Sequence, residues 1–118
     1  MQGSLLEGKT IIVTGGATGI GQAFALTSAA YGARVMIADL NSADETLELI
    51  KKNGGEASYV KTDVSDEASA KAMAQAAVKW SGRVDGLINN AAYFREVKLT
   101  PFEEISTEIW DRIFDVNV

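Results

Sequence analysis

Short apolar runs and helical patterns alternate along this sequence from one end to the other. The apolar runs predict four strands, at residues 9–13, 34–40, 57–64 and 84–88. Strict alternation of strands and helices implies a parallel sheet with right-handed crossovers. Four strands at this spacing predict the order 3-2-1-4, which is the first part of a doubly wound sheet in an α/β fold.

Helix signals fill the segments between the apolar runs. Ser42 and Glu45 form an S-x-x-E capping box, which predicts a helix to about residue 53. Ser65 is predicted to cap the following helix, which runs to about residue 81. Pro101 predicts a short helical turn, and a last helix begins near residue 106 or 107 and is still running at residue 118.

The last predicted helix carries both aromatic and acidic residues. Trp110 and Phe114 are four positions apart, so we expect them to share the buried face of this helix. The acids in and before it are typical of a solvated helix surface, and we predict no metal site at Glu103, Glu104, Glu108 and Asp111.

Composition excludes several classes of site and partner. The sequence contains no histidine and no cysteine, which rules out histidine triads, thiolate catalysis, disulfides and metal sites built on those residues. The net charge is −5 and the basic residues are scattered, so neither nucleic acid nor a membrane is a predicted partner. The start lacks a signal-peptide pattern and the apolar stretches are too short to span a bilayer, so a cytoplasmic location is the default expectation.

Glycine and polar residues follow each predicted strand. The glycines of TGGATGIG follow the first strand, Asp39 and Asp63 end the second and third, and the pair Asn89-Asn90 ends the fourth. Ligands of doubly wound sheets bind beyond the carboxyl ends of the strands, near the switch between the first and fourth. This shared location predicts a ligand site at that edge of the sheet.

The three glycines Gly15, Gly19 and Gly21 lie between a predicted strand and a predicted helix. Glycine permits a tight turn with positive φ and removes the Cβ that would keep a pyrophosphate away from the backbone. The N-terminus of the helix adds free N–H groups and partial positive charge. The alternative is a tight strand-to-helix turn with no ligand.

The acids at the strand ends suit an adenosine. Asp39 follows Gly21 by 18 residues, a spacing that suits a carboxylate accepting hydrogen bonds from a ribose. Its charge would repel a 2′-phosphate, and Leu40 and Asn41 bring no positive charge, so NAD is favoured over NADP. Each acid also has a plainer interpretation: Asp39 as a solvated acid, and Asp63 as a cap or turn residue.

Asp63 and Asn90 have a second possible use each. The Asp63 carboxylate and a backbone amide at Val64 could hold an adenine edge. The side-chain amides of Asn89 and Asn90 could tie neighbouring strands together, line a cofactor, or do both.

Together these residues closely resemble the short-chain dehydrogenase/reductase family of the classical type. Residues 14–21 match its T-G-x-x-x-G-x-G motif, and the pair Asp63-Val64 matches its adenine-binding pair. Residues 89–92 match its N-N-A-G motif, except that Ala92 replaces the glycine. The segment WDRIFDVNV resembles the helix that carries the family's catalytic asparagine, at Asn117.

The resemblance implies a Rossmann-like fold, a nicotinamide cofactor and a site assigned residue by residue. The glycine loop would cradle the pyrophosphate, Asp39 would bind the ribose, the Asp63-Val64 pair would hold the adenine, and Asn117 would help hold a water in a proton relay. The cofactor-binding residues it implies are Gly15, Thr18, Gly19, Ile20, Gly21, Asp39, Leu40, Asp63, Val64, Asn90 and Ala91.

The family's hydride transfer to or from an alcohol or carbonyl substrate also uses a serine and a Tyr-x-x-x-Lys set. The tyrosines here are at positions 31, 59 and 93, and the residues four positions later are Val35, Asp63 and Val97. We therefore expect residues 1–118 to form a single NAD(P)-binding domain, cut before the catalytic serine, tyrosine and lysine, that binds NAD without turnover. The loop at residues 93–100 is expected to approach the substrate, and a homo-oligomer is expected.

Two alternatives belong to other functional classes. One is a non-catalytic nucleotide-sensing or folding module. Its uncovered fourth-strand edge and the uncovered apolar face of its last helix would favour self-association or complementation by the missing half. The other is an S-adenosylmethionine-dependent methyltransferase, which also combines a glycine loop with an acid at the end of the second strand. The T-G-x-x-x-G-x-G spacing argues against the second.

Overall fold

A computed structural model describes residues 3–92 and 101–117. Four strands form one parallel sheet: β1 (Thr10–Thr14), β2 (Arg34–Asp39), β3 (Glu56–Lys61) and β4 (Gly86–Asn89). Their order is β3-β2-β1-β4, which confirms the predicted doubly wound topology. The register sets Thr14 beside both Ala38 and Asn89, so the carboxyl ends of β1, β2 and β4 lie level.

Four α-helices and one 3-10 turn connect and follow the strands. The helices are α1 (Gly19–Ala30), α2 (Asp44–Lys52), α3 (Glu67–Ser81) and α4 (Thr107–Asn117), and the turn is Phe102–Glu104. The turn lies where Pro101 predicts one. Within residues 3–92 and 101–117, no helix has both the length and the apolar character needed to cross a membrane.

The sheet packs on both faces because alternate residues of each strand point to opposite sides. On one face Val13, Val35 and Ile37 are fully buried against alanines of α1 and Ile50 of α2. On the other face Ile12, Met36 and Ala38 pack against Met73 and Ala77 of α3. The alanines of α1 and α3 let these helices lie close to the sheet, which fixes the loops at the strand ends.

The third strand ends three residues earlier than predicted. β3 ends at Lys61, and local side-chain bonds then turn the chain. The amide of Asp63 donates to Ser69 Oγ at 2.8 Å, and Asp63 Oδ1 accepts from the amide of Ser65 at 3.0 Å. Such bonds compete with strand pairing. Asp63 therefore lies just beyond the strand, and the predicted placement of the pair Asp63-Val64 within the end of the strand is wrong.

Two predicted helix caps are also wrong. Ser42 accepts from the amide of Asp44 at 3.3 Å, so α2 begins at Asp44 with no side-chain cap and the capping box with Glu45 does not form. The hydroxyl of Ser65 donates to Asp63, and Asp66 caps α3 instead by accepting from the amide of Ala68 at 3.2 Å. In both cases the serine bonds a residue two positions away instead of the amide that the predicted cap requires.

The aromatic pair of α4 contacts as predicted but is not buried. The ring centroids of Trp110 and Phe114 are 5.2 Å apart. The two residues are 45% and 49% exposed, and no residue of α4 is fully buried. The predicted buried face is therefore wrong for the part of the chain that the structure describes. The loop at 93–100 and residue 118, to which we gave expectations, lie outside the described residues.

Candidate functional site

A cleft of about 390 Å³ lies at the carboxyl ends of the strands, over the switch between β1 and β4. Its volume is within the range usual for small-molecule sites. It gathers ten of the eleven predicted cofactor-binding residues, all but Gly21. The described residues that line it are Gly15, Thr18, Gly19, Ile20, Ala38, Asp39, Leu40, Asn41, Thr62, Asp63, Val64, Asn90, Ala91, Ala92 and Val116.

The glycine loop forms one wall of the cleft. Gly15 has φ 71° and Gly19 has φ 59°, conformations that L side chains rarely adopt. A Cβ on Gly15 would lie 2.9 Å from Asn90 Nδ2 and 3.0 Å from the Cα of Ala91. Thr18 is the N-cap of α1, with extended backbone, so the first amides of α1 face the region beside the loop. This is the arrangement that suits an anionic group.

Gly21 is placed behind the loop and not on the cleft wall. It is buried, and a Cβ there would lie 2.0 Å from the carbonyl oxygen of Gly15 and 2.5 Å from Asn90 Nδ2. Its contribution is close packing of α1 against the loop and the end of β4. The sequence motif predicts a cofactor contact at Gly21. In the structure, the absence of a side chain at Gly21 instead lets α1 pack against the Gly15 carbonyl and Asn90.

One buried hydroxyl joins the ends of β1 and β4. Thr14 Oγ1 accepts from the amides of Asn90 at 3.0 Å and Ala91 at 3.1 Å, and donates to the carbonyl of Ile88 at 3.4 Å. Asn90 Nδ2 in turn donates to the carbonyl of Gly15 at 3.2 Å. Asn90 thus ties two strand ends together and also lines the cleft, so both of its predicted uses are compatible with one position.

Asp39 connects the end of β2 to the glycine loop. Its Oδ2 accepts from the amide of Ala17 at 3.0 Å and its Oδ1 from the amide of Asn41 at 3.0 Å. Each oxygen keeps a lone pair for a further donor from the cleft. The hydroxyl of Tyr59 donates to the Asp39 carbonyl at 3.0 Å, and burial, followed by the charges of Asp39 and Asp44, raises the pKa of Tyr59.

Asp63 is held by its neighbours two residues away. Its Oδ1 accepts from the hydroxyl of Ser65 at 2.6 Å and from the Ser65 amide at 3.0 Å. The hydroxyl bond first, then the amide bond and the charge of Arg112, hold the pKa of Asp63 below its ordinary value. Among the described residues both bonds fall on Oδ1, so Oδ2 can accept a hydrogen bond from a ligand.

Helix α4 reaches the same edge of the sheet. Arg112 Nη1 lies 3.4 Å from Ser65 Oγ, which places this helix beside Asp63. Val116 lines the cleft, and Asn117, the predicted catalytic asparagine, is the next residue and is exposed. Asn117 itself is not among the described residues that line the cleft, and its catalytic role stays a prediction.

Thr46, Gln22 and Thr62 support the site without appearing in the prediction. Thr46 of α2 is fully buried and bonds the carbonyls of the glycine loop, with Gln22 as a second partner. No sequence signal singles them out, because their contacts depend on how α1 and α2 pack. Thr62 lines the cleft one residue before Asp63 and could have been read from its position at a strand end.

A second hollow, of about 410 Å³, lies between α1 and α2, near the amino ends of the strands. It is slightly larger than the cleft, but it is lined by Leu26, Thr27, Ala29, Ala30, Ile50, Asn53 and Gly55, none of which ionises. Ligands of such sheets bind at the opposite edge. The convergence of glycines, carboxylates and a helix N-terminus therefore makes the cleft the better candidate.

Comparison with known proteins decides the family. The family model for short chain dehydrogenases matches residues 9–118. The chain belongs to the short chain dehydrogenase family. This is a family of oxidoreductases that bind nicotinamide cofactors and act on small molecules, and the assignment removes the methyltransferase alternative.

Individual relatives agree with this assignment. Glucose 1-dehydrogenase 2 of Bacillus subtilis (strain 168) is 43% identical over 116 residues, which cover 96% of this chain and 44% of that protein. The structure of a citronellol catabolism dehydrogenase of Pseudomonas aeruginosa PAO1 matches with a TM-score of 0.90 and 29% identity, over 100% of this chain and 48% of that one.

A third relative was solved with a cofactor. The structure of a putative 2-deoxy-d-gluconate 3-dehydrogenase from Agrobacterium tumefaciens, with bound NADP, matches with a TM-score of 0.81 and 39% identity. The match covers 96% of this chain and 43% of that one. The present chain thus spans less than half the length of these relatives.

Proposed function

We propose that this chain forms the adenosine-binding part of an NAD-dependent short-chain dehydrogenase. The observation that carries the proposal is the single cleft in which the glycine loop, Asp39, Asp63 and Asn90 converge. Bound nicotinamide would supply the hydride acceptor or donor for an alcohol or carbonyl substrate. The residues present fit such a cofactor, since the loop leaves no room for a Cβ at Gly15 and the first residues of α1, Gly19 and Ile20, line the cleft.

We propose a role in cofactor binding for the predicted residues that line the cleft. The glycine loop cradles the pyrophosphate and Ile20 contributes its amide, where the N-terminus of α1 favours negative charge. Asp39 accepts hydrogen bonds from the adenosine ribose. Asp63 Oδ2 and the Val64 amide hold the adenine edge, and Leu40 and Ala91 complete the walls of the cleft.

Charge favours NAD over NADP. Among the described residues that line the cleft there are two carboxylates, Asp39 and Asp63, and no lysine or arginine. A 2′-phosphate carries about −1.5 to −2 charges at neutral pH. Beside Asp39 it would be repelled, and its oxygens could not accept a hydrogen bond from a carboxylate. Because one relative was solved with bound NADP, the preference of this chain for NAD has to be tested directly.

Catalysis requires more than these residues. Asn117 is the proposed site of a water in a proton relay, and the sequence contains no Tyr-x-x-x-Lys. We propose that residues 1–118 act as one cofactor-binding domain that does not turn over substrate by itself. The homo-oligomer, the cytoplasmic location and the approach of the loop at 93–100 to substrate stay predictions.

The test is a titration of the purified chain with NAD and with NADP. We expect NAD to bind more tightly. Asp39→Asn should weaken NAD by about tenfold, because a charge-assisted hydrogen bond contributes about 1.5–3 kcal/mol, and should narrow the difference between the two cofactors. Asp85→Asn removes a carboxylate at the opposite edge of the sheet and is the matched control. Equal affinity for NAD and NADP, or an unchanged ratio in Asp39→Asn, would refute the preference.

The absence of turnover needs its own assay. Alcohol-dependent reduction of NAD is measured on protein whose intact mass agrees with 12.6 kDa. We expect none with any alcohol tested. Clear turnover by protein of that mass would show that the catalytic step does not need the serine, tyrosine and lysine.

A further inference from the structure

A threonine in the first turn of α2 contacts the glycine loop from below. Thr46 is fully buried, and its Oγ1 lies 3.0 Å from the carbonyl oxygen of Gly16 and 3.2 Å from that of Ala17. The same oxygen accepts from Gln22 Nε2 at 3.0 Å. A buried hydroxyl is tolerated when it is hydrogen-bonded in this way. The contact therefore links α2 and α1 to the loop.

The peptide between Gly16 and Ala17 is held on both sides. Its carbonyl is bonded to Thr46, and its amide donates to Asp39 Oδ2 at 3.0 Å. In a planar trans peptide the C=O and N–H point in opposite directions, so these two bonds together oppose rotation of the plane. A Cβ on Gly16 would lie 2.9 Å from Ile37 Cγ2, which shows how closely the loop rests on the core.

We propose that Thr46 is a positioning residue that fixes the Gly16–Ala17 peptide and, through the amide of Ala17, the carboxylate of Asp39. Thr46 itself does not line the cleft. The consequence for cofactor binding rests on the proposed function, since Asp39 is there the ribose ligand. The consequence for the loop does not, because it concerns contacts within the chain alone.

Removal of the hydroxyl has a defined local effect. Thr46→Val removes the hydroxyl to which three groups bond. They are the carbonyls of Gly16 and Ala17 and the side-chain amide of Gln22. The peptide plane is then free to turn towards water, and the amide of Ala17 leaves Asp39. Thr46→Ser keeps the hydroxyl and is expected to restore the contact.

Thr10 provides the matched control. It is 1% exposed, against 0% for Thr46, and its Oγ1 donates to Ser81 Oγ at 2.9 Å. It lies at the amino end of β1, whereas the glycine loop follows the carboxyl end. Thr10→Val therefore removes the same group at the same degree of burial, away from the cleft.

Amide hydrogen exchange resolved by NMR on the ligand-free chain is the first readout. We expect the Ala17 amide to exchange roughly tenfold faster in Thr46→Val, the factor that corresponds to about one lost hydrogen bond. Wild-type rates are expected for Ala17 in Thr46→Ser and Thr10→Val. Unchanged exchange at Ala17 in Thr46→Val would overturn the proposal. If Thr46→Val does not fold, Thr46→Ala, which also removes the hydroxyl, is judged by the same criterion.

NAD affinity is the second readout. We expect a dissociation constant roughly three- to tenfold higher in Thr46→Val, with wild-type values in Thr46→Ser and Thr10→Val. An equal loss in Thr10→Val would mean that affinity follows stability in general, and would overturn the positioning role. Failure of the wild-type chain to bind NAD would count against the proposed function, while the exchange rates would still decide the role of Thr46.

Discussion

The amino ends and the carboxyl ends of the strands, called here the amino edge and the carboxyl edge of the sheet, use the same kinds of residue in different ways. At each end of β1 a threonine is 1% exposed: Thr10 at the amino end and Thr14 at the carboxyl end. Each edge also carries carboxylates beside the threonine. At the amino edge Asp85 accepts from the Thr10 amide at 2.8 Å and from Arg83 Nε at 2.8 Å. At the carboxyl edge Asp39 accepts from two backbone amides and borders a cleft.

The partners of the carboxylates separate the two edges. Arg83 neutralises Asp85 within the amino edge, and the side-chain bond to Arg83 lowers the pKa of Asp85. Among the described residues Asp39 accepts from the backbone amides of Ala17 and Asn41, and Asp63 accepts from Ser65, with the charge of Arg112 nearby. Both carboxylates line the cleft. The ion pair of Asp85 stabilises the fold, whereas amides and hydroxyls orient the carboxylates of Asp39 and Asp63 for a ligand.

The largest expected effect comes from adding a side chain at Gly21, between the glycine loop and α1. In Gly21→Ala the new Cβ would lie 2.0 Å from the Gly15 carbonyl oxygen, so the loop and α1 must move apart. We expect a loss of about 2–3 kcal/mol in stability from overpacking. NAD affinity should fall by roughly a hundredfold, because the displaced loop no longer presents its amides. Urea unfolding and an NAD titration measure the two quantities.

Gly82→Ala is the control for that substitution. Gly82 follows α3 at the amino edge with φ 84°, and a Cβ there would meet nothing within 4 Å. The strained φ should cost about 1 kcal/mol in stability, with NAD affinity unchanged. Wild-type NAD affinity in Gly21→Ala would contradict the close packing assigned to Gly21.

An intermediate effect is expected from breaking the amino edge. Asp85→Ala removes the acceptor of the Thr10 amide and the partner of Arg83. We expect a lower urea midpoint with an unchanged dissociation constant for NAD, because the cleft lies at the other ends of the strands. A fall in NAD affinity larger than that in Thr10→Val would show that the two edges are coupled, and the comparison above would fail.

The smallest effect concerns the acid limit of Asp63. Its folded pKa is below the ordinary value of 3.8, so its contribution to stability is complete above pH 3.8 and is lost as pH falls through the lower folded value. Ser65→Ala removes the hydroxyl bond and should move the pKa of Asp63 back towards 3.8. Acid unfolding should then begin at a higher pH. Titration of the Asp63 carboxyl by NMR tests this, and an unshifted pKa would contradict the assigned cause.

The parts of the fold that depend on local pattern could be predicted from the sequence. The strand order follows from alternation, and ten of the eleven predicted cofactor residues lie in one cleft because parallel strands end at one edge. Strand and helix ends were predicted less well. Ser65 could bond either the helix or Asp63, and the choice depends on where β3 stops, which no local pattern encodes.

Contacts between distant elements could not be predicted. Thr46 looks like an ordinary residue of a short helix, and its bond to Gly16 spans 30 positions. Trp110 and Phe114 show the opposite error, because their spacing indicates an apolar face but not what covers it. Both cases depend on packing between elements rather than on the sequence of one element.

The bonds of Thr14 have a consequence for the order in which the site forms. Its hydroxyl accepts from amides 76 and 77 residues further along the chain. Contacts of such sequence separation require closure of a long loop, which makes them slow to form. During synthesis the glycine loop and Asp39 are made well before Asn90 emerges, so the cleft is completed late. A nucleotide that needs the whole cleft therefore binds only chains that have already joined β4 to β1, and draws the folding equilibrium towards them.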